Sequence, residues 1–507
     1  MNGYLGLILT GHVPYLRAAG RDPQGEEALH ETIASAIVPT LNLLYDLREQ
    51  GLRFSLALAY SPILLEQLGD NVVQKHFIVW MERWLARLAH DLQRWEAEGE
   101  AHRVYLARFY LDWGQGVLES FVERYGRNPV AALRDLCADG ILEALAGPAT
   151  HAYLPLLDRA ESIHAQLDVG IFNTTRQLGR RPRGFWLPEC GYRPGLDPQL
   201  LASGIRYVVV DPSSLPASAG ITHLRPRWMR PRRLALFARD EPAMEQIWSP
   251  DLGYLGDPLY RAPRRDPRSG LALWCAGASG APETLYDPYD AFQRAREHAA
   301  HWSHYLIAEL EEFRTRHDRP GIAIVPLDAE LIGRRWFEGP AWLRALLEEF
   351  AGNSTIALTA PSAYLRAIRP RQGATPREGS WGQAGDHRAW GGRAALPLWQ
   401  AIGETEEWLA QLIQRYPNAR DEHERALAQA LRELLLAQAS DWPLLLNQGV
   451  DGDDPLRRPA QHLQRCARLC ALAEAQEWSE ADRAFLEQVE EEDNPFPHLN
   501  YRVFADA

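Results

Sequence analysis

Short, nearly continuous apolar runs punctuate the first two-thirds of the chain: Leu5–Leu9, Phe54–Ala59, Phe185–Leu187, Tyr207–Val210, Leu234–Phe237, Leu271–Cys275, Ile322–Val325 and Thr355–Leu358. Each is of strand length, and longer helical or loop segments separate them. Runs without polar alternation predict strands covered on both faces, the habit of a parallel sheet between helical layers. Polar residues stand just beyond several of these runs: His12 after the first, Glu189 after the third, Asp211 after the fourth, Asp240 after the fifth and Asp328 after the seventh. A β/α barrel builds its active site from side chains at the C-terminal ends of its strands. A flavodoxin-like open sheet has the same rhythm but needs fewer strands and less chain.

Between Asn71 and Asp139 the pattern changes to helix. Trp80, Trp84, Tyr105, Phe109 and Trp113 recur at helical spacing with charges between them, which predicts an inserted helical subdomain packed along an aromatic stripe. From Trp399 to Glu492 the pattern is helical again, punctuated by Pro417 and Pro443, and Ser479 with Asp482 has the form of a helix start. The expected organisation is a β/α barrel over 1–70 and 140–370, an inserted helical subdomain over 71–139, and a linker with a C-terminal helical domain over 371–507. No internal repeat or low-complexity tract interrupts it.

Composition narrows the function. At 507 residues the chain exceeds one hydrophobic core, and 46% hydrophobic with 24% charged residues excludes a disordered chain. A net charge of −13 argues against nucleic acid as a partner. Lys75 is the sole lysine, so catalysis through a lysine has almost nowhere to go. Seventeen tryptophans supply flat apolar plates of the kind that fill cores and stack on sugar rings. The five cysteines, Cys137, Cys190, Cys275, Cys466 and Cys470, are scattered and odd in number. They form no disulfide framework, and a reducing cytoplasm is the expected location. No run approaches a membrane span, and Met1 to Thr10 lacks the features of a signal peptide.

Among chemical motifs, a phosphate loop, a serine elbow and a Cys-x-x-Cys pair are missing. His298, His301 and His304 share a helical segment, but no acidic partners lie at ligand spacing, so a packed or solvated helix is expected rather than a metal site. Cys466 and Cys470 are expected in a helical core. The better lead is a pair of acids: Glu189 ends the strand in Gly184-Phe-Trp-Leu-Pro-Glu189, and Asp328 ends the strand in Ile322-Ala-Ile-Val-Pro-Leu-Asp328. Either acid alone reads as a helix cap or half of an ion pair. Two acids ending separate strands of one barrel, among tryptophans, match the pair of carboxyl groups that glycoside hydrolysis needs.

At these motifs the chain resembles glycoside hydrolase family 57, and within it the 1,4-α-glucan branching enzymes. The resemblance begins at Gly11-His-Val-Pro-Tyr-Leu-Arg17 and continues through Gly140-Ile-Leu-Glu143 and Ala149-Thr-His-Ala-Tyr153. It is strongest at Phe185-Trp-Leu-Pro-Glu-Cys-Gly-Tyr192, followed by Ile247-Trp-Ser249 and Leu327-Asp-Ala-Glu-Leu331. It closes with Ser380-Trp-Gly-Gln-Ala-Gly-Asp-His387 and Gln438-Ala-Ser-Asp-Trp-Pro443. It implies an incomplete, seven-stranded β/α barrel and a retaining mechanism without metal or organic cofactor. Glu189 then corresponds to the nucleophile and Asp328 to the general acid/base. His12 and His151 correspond to residues that bind sugar hydroxyls, Trp274, Trp381 and Trp390 to aromatics of the glucan groove, and Asp441 with Trp442 to a motif closing over the cleft.

The chain also departs from that family. Ile332-Gly-Arg-Arg-Trp336 replaces the usual Phe-Gly-His-Trp-Trp, and Trp381-Gly-Gln-Ala-Gly385 replaces Trp-Gly-Glu-Gly-Gly. Ala28 stands in place of a groove tryptophan. The loop between Asp211 and Ile247 is shortened and lacks the tyrosine expected over the active site, leaving Trp228 or His223 as substitutes. The implied partner is an α-1,4-glucan, with neither nucleic acid nor membrane. Branching, hydrolysis and 4-α-glucan transfer differ only in what accepts the glucosyl chain. A non-catalytic glucan-binding protein is the rival from another class; a polysaccharide deacetylase-like metal enzyme lacks its Asp and His ligand set here.

Overall fold

A computed structural model describes residues 1–17, 25–216, 223–231, 233–249, 253–277, 283–449 and 454–505. Its strands are β1 (Gly3–Gly11), β2 (Leu56–Tyr60), β3 (Leu142–Ala146), β4 (Gly184–Phe185), β5 (Tyr207–Val210), β6 (Arg227–Met229), β7 (Ala235–Ala238), β8 (Gly321–Asp328), β9 (Ile356–Leu358) and β10 (Gly373–Ala374). Seven of them form a parallel ladder in the order β8-β1-β2-β3-β4-β5-β7. The two ends of that ladder meet at a single backbone hydrogen bond, from the Asp240 N–H to the Ile324 carbonyl at 2.7 Å. Among the described residues no ladder joins β7 to β8, which leaves a seven-stranded barrel open at one seam. Antiparallel β6 and then β10 extend the β7 edge. Strand β9 pairs with Gly3–Leu5, and β2 with Ile8–Gly11, on the β1 edge away from β8.

The continuous apolar runs resolve into two sets with a period of two. Ile8, Ala57, Ala59, Leu145, Tyr207, Val209, Ala235, Phe237, Ile322 and Ile324 pack together as the filling of the barrel. Their neighbours Leu7, Leu9, Leu56, Leu58, Val325 and Leu327 face the outer helices, as do Val208, Val210, Leu236 and Ala238 on the far side.

One expected strand is not formed, and one strand forms where none was expected. Leu271–Cys275 makes only isolated bridges, Arg261 with Cys275 and Trp274 with Leu285. The run is apolar because Leu271 and Leu273 pack against the inserted helices, where the Tyr110 hydroxyl donates to the Ala272 carbonyl at 2.6 Å. Conversely, β3 was not among the expected strands because Glu143 interrupts its apolar run; that carboxylate accepts from the Tyr207 hydroxyl at 2.8 Å.

The insertion is helical, as expected, with helices Asn71–Glu98, Ala101–Glu119 and Pro129–Ala138. Its buried seam is Phe77, Met81, Leu88 and Trp95 against Leu106, Tyr110, Val117 and Phe121. The expected aromatic stripe is instead only partly buried: Trp80, Trp84, Phe109 and Trp113 flank the seam, and Tyr105 is exposed.

Helices Leu396–Arg415, Asp421–Ala437, Asp441–Gln448, Asp454–Glu474 and Glu480–Glu492 follow the barrel, with a core of their own that includes Cys466 and Cys470. Ser479 and Asp482 form the expected capping box. A buried chain of amides docks these helices on the barrel. Gln166 donates to Gln438 at 2.8 Å, Gln438 donates to Glu406 at 2.8 Å, and the Thr150 hydroxyl donates to the Leu435 carbonyl at 2.5 Å. Buried polar groups that all find partners fix one docking geometry. No helix among the described residues is long and apolar enough to cross a membrane.

Candidate active site

The C-terminal ends of five neighbouring strands supply an arc of polar side chains. Asp328 is the last residue of β8 and lies in register with Thr10 of β1; His12 follows β1, Ser61 follows β2, His151 lies beyond β3 and Glu189 beyond β4. Glu189 and Asp328 are partly open on this face, while their neighbours Cys190 and Leu327 are buried.

Backbone geometry aims Glu189. Both Glu189 and Cys190 have left-handed torsions, with φ of 59° and 51°, a conformation that costs a side-chain-bearing residue about 1–2 kcal/mol. The turn is held from a distance of nearly 200 positions. Tyr192 and Gly379 exchange backbone hydrogen bonds at 2.8 and 3.0 Å, and the Trp381 N–H donates to the Glu189 carbonyl at 3.0 Å. The same segment brings the Trp381 indole N–H to the Glu189 carboxylate, with the indole edge-on to Trp186 at 5.6 Å.

The histidines are stacked, with ring centroids 4.0 Å apart and planes 11° from parallel. His12 lies 2.9 Å from the Ser61 hydroxyl through Nδ1 and 2.7 Å from Asp441 through Nε2. His151 lies 3.0 Å from the Ser440 hydroxyl through Nδ1. Burial opposes a charge on His12, but the carboxylate of Asp441, helped by Glu330 and Glu189, more than offsets it and raises the imidazole above its ordinary value. His151 is pushed well below its ordinary value by burial and by the charge on His12. The pair therefore favours one proton, on His12, with His151 as the neutral ring.

Both acids are driven toward protonation. Burial raises Glu189 to about 7, with the Trp381 hydrogen bond opposing and the charges of Asp328 and Asp441 adding to the rise. Burial raises Asp328 to about 6, with Glu330 adding and the backbone N–H groups of Glu330 and Leu331 opposing. Each acid thus holds its proton more tightly than a carboxyl in water, and burial is the leading cause in both.

The other residues expected at the site fall in several places. Trp390 is buried and stacked on Tyr153 at 4.3 Å. Trp442 is buried in the helical core, its N–H donating to the Leu436 carbonyl at 3.0 Å. Trp274 lies under the Arg264 guanidinium at 4.7 Å, against the insertion side of the core. No hydrogen bond among the described residues joins these three rings to Glu189. Asp211 and Asp240, the other strand-end acids, are committed elsewhere: Arg239 donates to Asp211 at 2.7 Å, and His223 pairs with Asp240 at 3.3 Å and Glu309 at 3.2 Å.

His223 is thereby tied into the barrel seam, and Trp228 sits in β6, partly buried against the barrel filling. Residues 217–222 and 232 of the shortened loop lie outside the described residues. His298 and His301 contact the Tyr260 and Tyr254 hydroxyls, each at 2.7 Å, while His301 and His304 remain exposed, so this helix is partly packed and partly solvated. His223, Asp240 and Glu309, and likewise Glu433, His462 and Asp493, bring ligand-type atoms within 4.8 Å of one another. In each group the carboxylates outweigh burial and raise the imidazole, His223 to about 10.

Several residues that complete the site escaped sequence reasoning. Ser61 and Ser440 orient the two histidines, Gln166 and Gln438 dock the helical domain, and Glu330 flanks Asp328. The only signal for Gln438 and Ser440 was their place in the Gln438-Ala-Ser-Asp-Trp442 motif.

A family model described as glycosyl hydrolase family 57 matches residues 7–375, and one described as 1,4-alpha-glucan branching enzyme, C-terminal, matches residues 401–504. The chain is 32% identical to the 1,4-alpha-glucan branching enzyme of Thermococcus kodakarensis, over 98% of this chain and 78% of that protein. The crystal structure of a branching enzyme of this family from Pyrococcus horikoshii superposes with a TM-score of 0.93 at 34% identity, covering 99% of this chain and 97% of that one. The alpha-amylase AmyC of Thermotoga maritima superposes with a TM-score of 0.89 at 28% identity over the whole of both chains.

Proposed function

Because the chain belongs to glycosyl hydrolase family 57, we propose that it is a retaining 1,4-α-glucan branching enzyme of glycogen synthesis in a reducing cytoplasm. The observation that carries this reading is the arc at the strand ends: two carboxyls with raised proton affinity share it with the stacked His12 and His151, and the helical domain closes the arc through Asp441 and Ser440. The described cysteines are all free, in keeping with that location.

In this mechanism the reactive form is the one with Glu189 ionised and Asp328 protonated, a minority form because Glu189 is raised to about 7 and Asp328 to about 6. In it Glu189 attacks the anomeric carbon while Asp328 gives its proton to the departing glycosidic oxygen. The products are a covalent glucosyl-enzyme and a shortened chain with a free 4-hydroxyl. Asp328, now ionised, takes the proton from the 6-hydroxyl of an acceptor chain, whose oxygen displaces Glu189. Two inversions return the α configuration, now in an α-1,6 linkage. The Trp381 N–H favours the ionised form of Glu189 as it attacks and as it leaves. His12, fixed by Asp441 and Ser61, and neutral His151 are placed to bind hydroxyls of the glucosyl unit.

Partition of the intermediate between sugar and water is the second reading. It is supported by the full-length likeness to an alpha-amylase and by Arg334 and Gln383 in place of His and Glu. Whichever acceptor is held in attacking geometry wins, since positioning alone contributes several kcal/mol, about 7 or more in well-oriented cases. Incubation with amylose tests both readings. Proton NMR should show α-1,6 linkages accumulating, with reducing ends rising faster than a relative with the complete loop produces. Reducing ends without α-1,6 signal would make the protein a hydrolase, and neither product would make it a binding protein.

A further inference from the structure

Two tryptophans of the insertion remain outside this mechanism. Trp84 and Trp113 line a cleft of 510 Å³ together with Glu31, Arg265, Arg334 and Arg335, a volume within the range of small-molecule sites. The indoles meet edge to face at 5.9 Å and 79°, so the two rings form a corner. The seat of Trp84 is specified by sequence. It lies against Gly114, where a Cβ would fall 2.6 Å from the indole. Gly114 stands inside the helix Ala101–Glu119, a position where glycine costs about 1 kcal/mol relative to alanine.

Opposite the aromatic corner the cleft is polar. Glu31 accepts from Arg265 at 2.7 Å and lies 3.6 Å from Arg334, which also bonds Glu330 at 2.8 Å. The Arg335 side chain is exposed, and its positive charge acts on Asp328, opposing the rise in that carboxyl's proton affinity. This wall is continuous with the general acid: the Arg335 N–H donates to the Glu330 carbonyl at 2.9 Å, and the Glu330 N–H donates to Asp328 Oδ1 at 2.7 Å.

We propose that this cleft binds the acceptor chain, an uncharged α-1,4-glucan segment, and leads its 6-hydroxyl to Asp328. The proposal rests on the transglycosylase reading above. The acceptor must present its hydroxyl to the group that takes the proton, so its chain crosses the loop that carries Asp328, and the cleft opens on that loop. A glucan chain has apolar ring faces and rings of hydroxyls. It finds stacking faces on Trp84 and Trp113, and donors and acceptors on Arg335, Arg334 and Glu31, while two of the cleft's four arginines, Arg265 and Arg334, are already paired to carboxylates.

The test uses the full chain carrying Glu189→Gln, with maltoheptaose as the probe in calorimetry and amylose turnover measured in the parent background. Arg335→Gln, Trp113→Ala and Trp84→Phe should each weaken maltoheptaose binding, the tryptophan changes by about 5–10-fold. In the parent they should raise KM for amylose more than they lower kcat. Arg335 is exposed, so Arg335→Gln keeps the test valid if a tryptophan variant fails to fold. Unchanged maltoheptaose affinity and KM in Arg335→Gln and Trp84→Phe would overturn the proposal. So would binding of glucose 6-phosphate in place of maltoheptaose, which would mark the cleft as an anion site. Amylose turnover surviving Glu189→Gln would instead sink the mechanism, while the binding data would still judge the cleft.

Discussion

Replacing Glu189 by Gln should abolish amylose turnover and, at neutral pH and above, make the protein more stable. Glu189 is raised from 4.5 to about 7 in the folded chain. At 1.36 kcal/mol per unit that shift corresponds to about 3 kcal/mol, and the partly open carboxyl is screened enough that about 2 kcal/mol is the expected effect. Between pH 4.5 and 7 the folded state keeps a proton that the unfolded chain has lost. Stability therefore falls as pH rises through that window and stays low above it. Gln cannot ionise, and its amide oxygen still accepts from Trp381, so the variant escapes the loss. Urea unfolding followed by tryptophan fluorescence should show little difference from the parent near pH 4.5 and a gain of about 2 kcal/mol at pH 8. A loss of stability of similar size at both pH values would show that Glu189 is a structural residue. Turnover persisting in a folded variant would remove the nucleophile.

Other outcomes follow from the same geometry. Asp328→Asn should lower amylose turnover by roughly 10²–10⁴-fold while still releasing fluoride from an α-maltosyl fluoride, a leaving group that needs no proton; equal loss on both substrates would deny the acid role. Trp381→Phe removes the donor that favours ionised Glu189, so the acidic limb of the kcat/KM profile should move up by about 1–2 pH units. An unmoved limb would leave Trp381 only a stacking or packing part. Asp441→Asn removes the charge that holds the proton on His12, so the His12 ring should titrate at lower pH by NMR and kcat/KM should fall. An unchanged titration would refute the shared-proton account of the two histidines.

Much of this protein is written in local sequence. Apolar runs of strand length have to be buried on both faces, and seven of the eight expected runs became strands, with Glu189 and Asp328 just past two of them. The aromatic periodicity of the insertion and the Ser479–Asp482 cap were legible because helix periodicity and capping act within a few residues. Where a polar contact interrupts a run, as Glu143 does in β3, or packing against another element sustains one, as at Leu271 and Leu273, the pattern misleads. The site itself was legible only as a list of motifs. That Trp381 donates to Glu189, that Asp441 charges His12 and that Ser440 orients His151 are contacts across roughly 190, 430 and 290 positions. They exist because the barrel gathers its strand ends on one face and the Gln166–Gln438–Glu406 chain docks the helical domain over them. The division of the tryptophans is tertiary for the same reason. Trp442 and Trp390 are buried, Trp381 reaches a carboxylate and Trp84 with Trp113 lines a cleft, because a ring's role is set by what packs on its two faces and not by its neighbours in the chain.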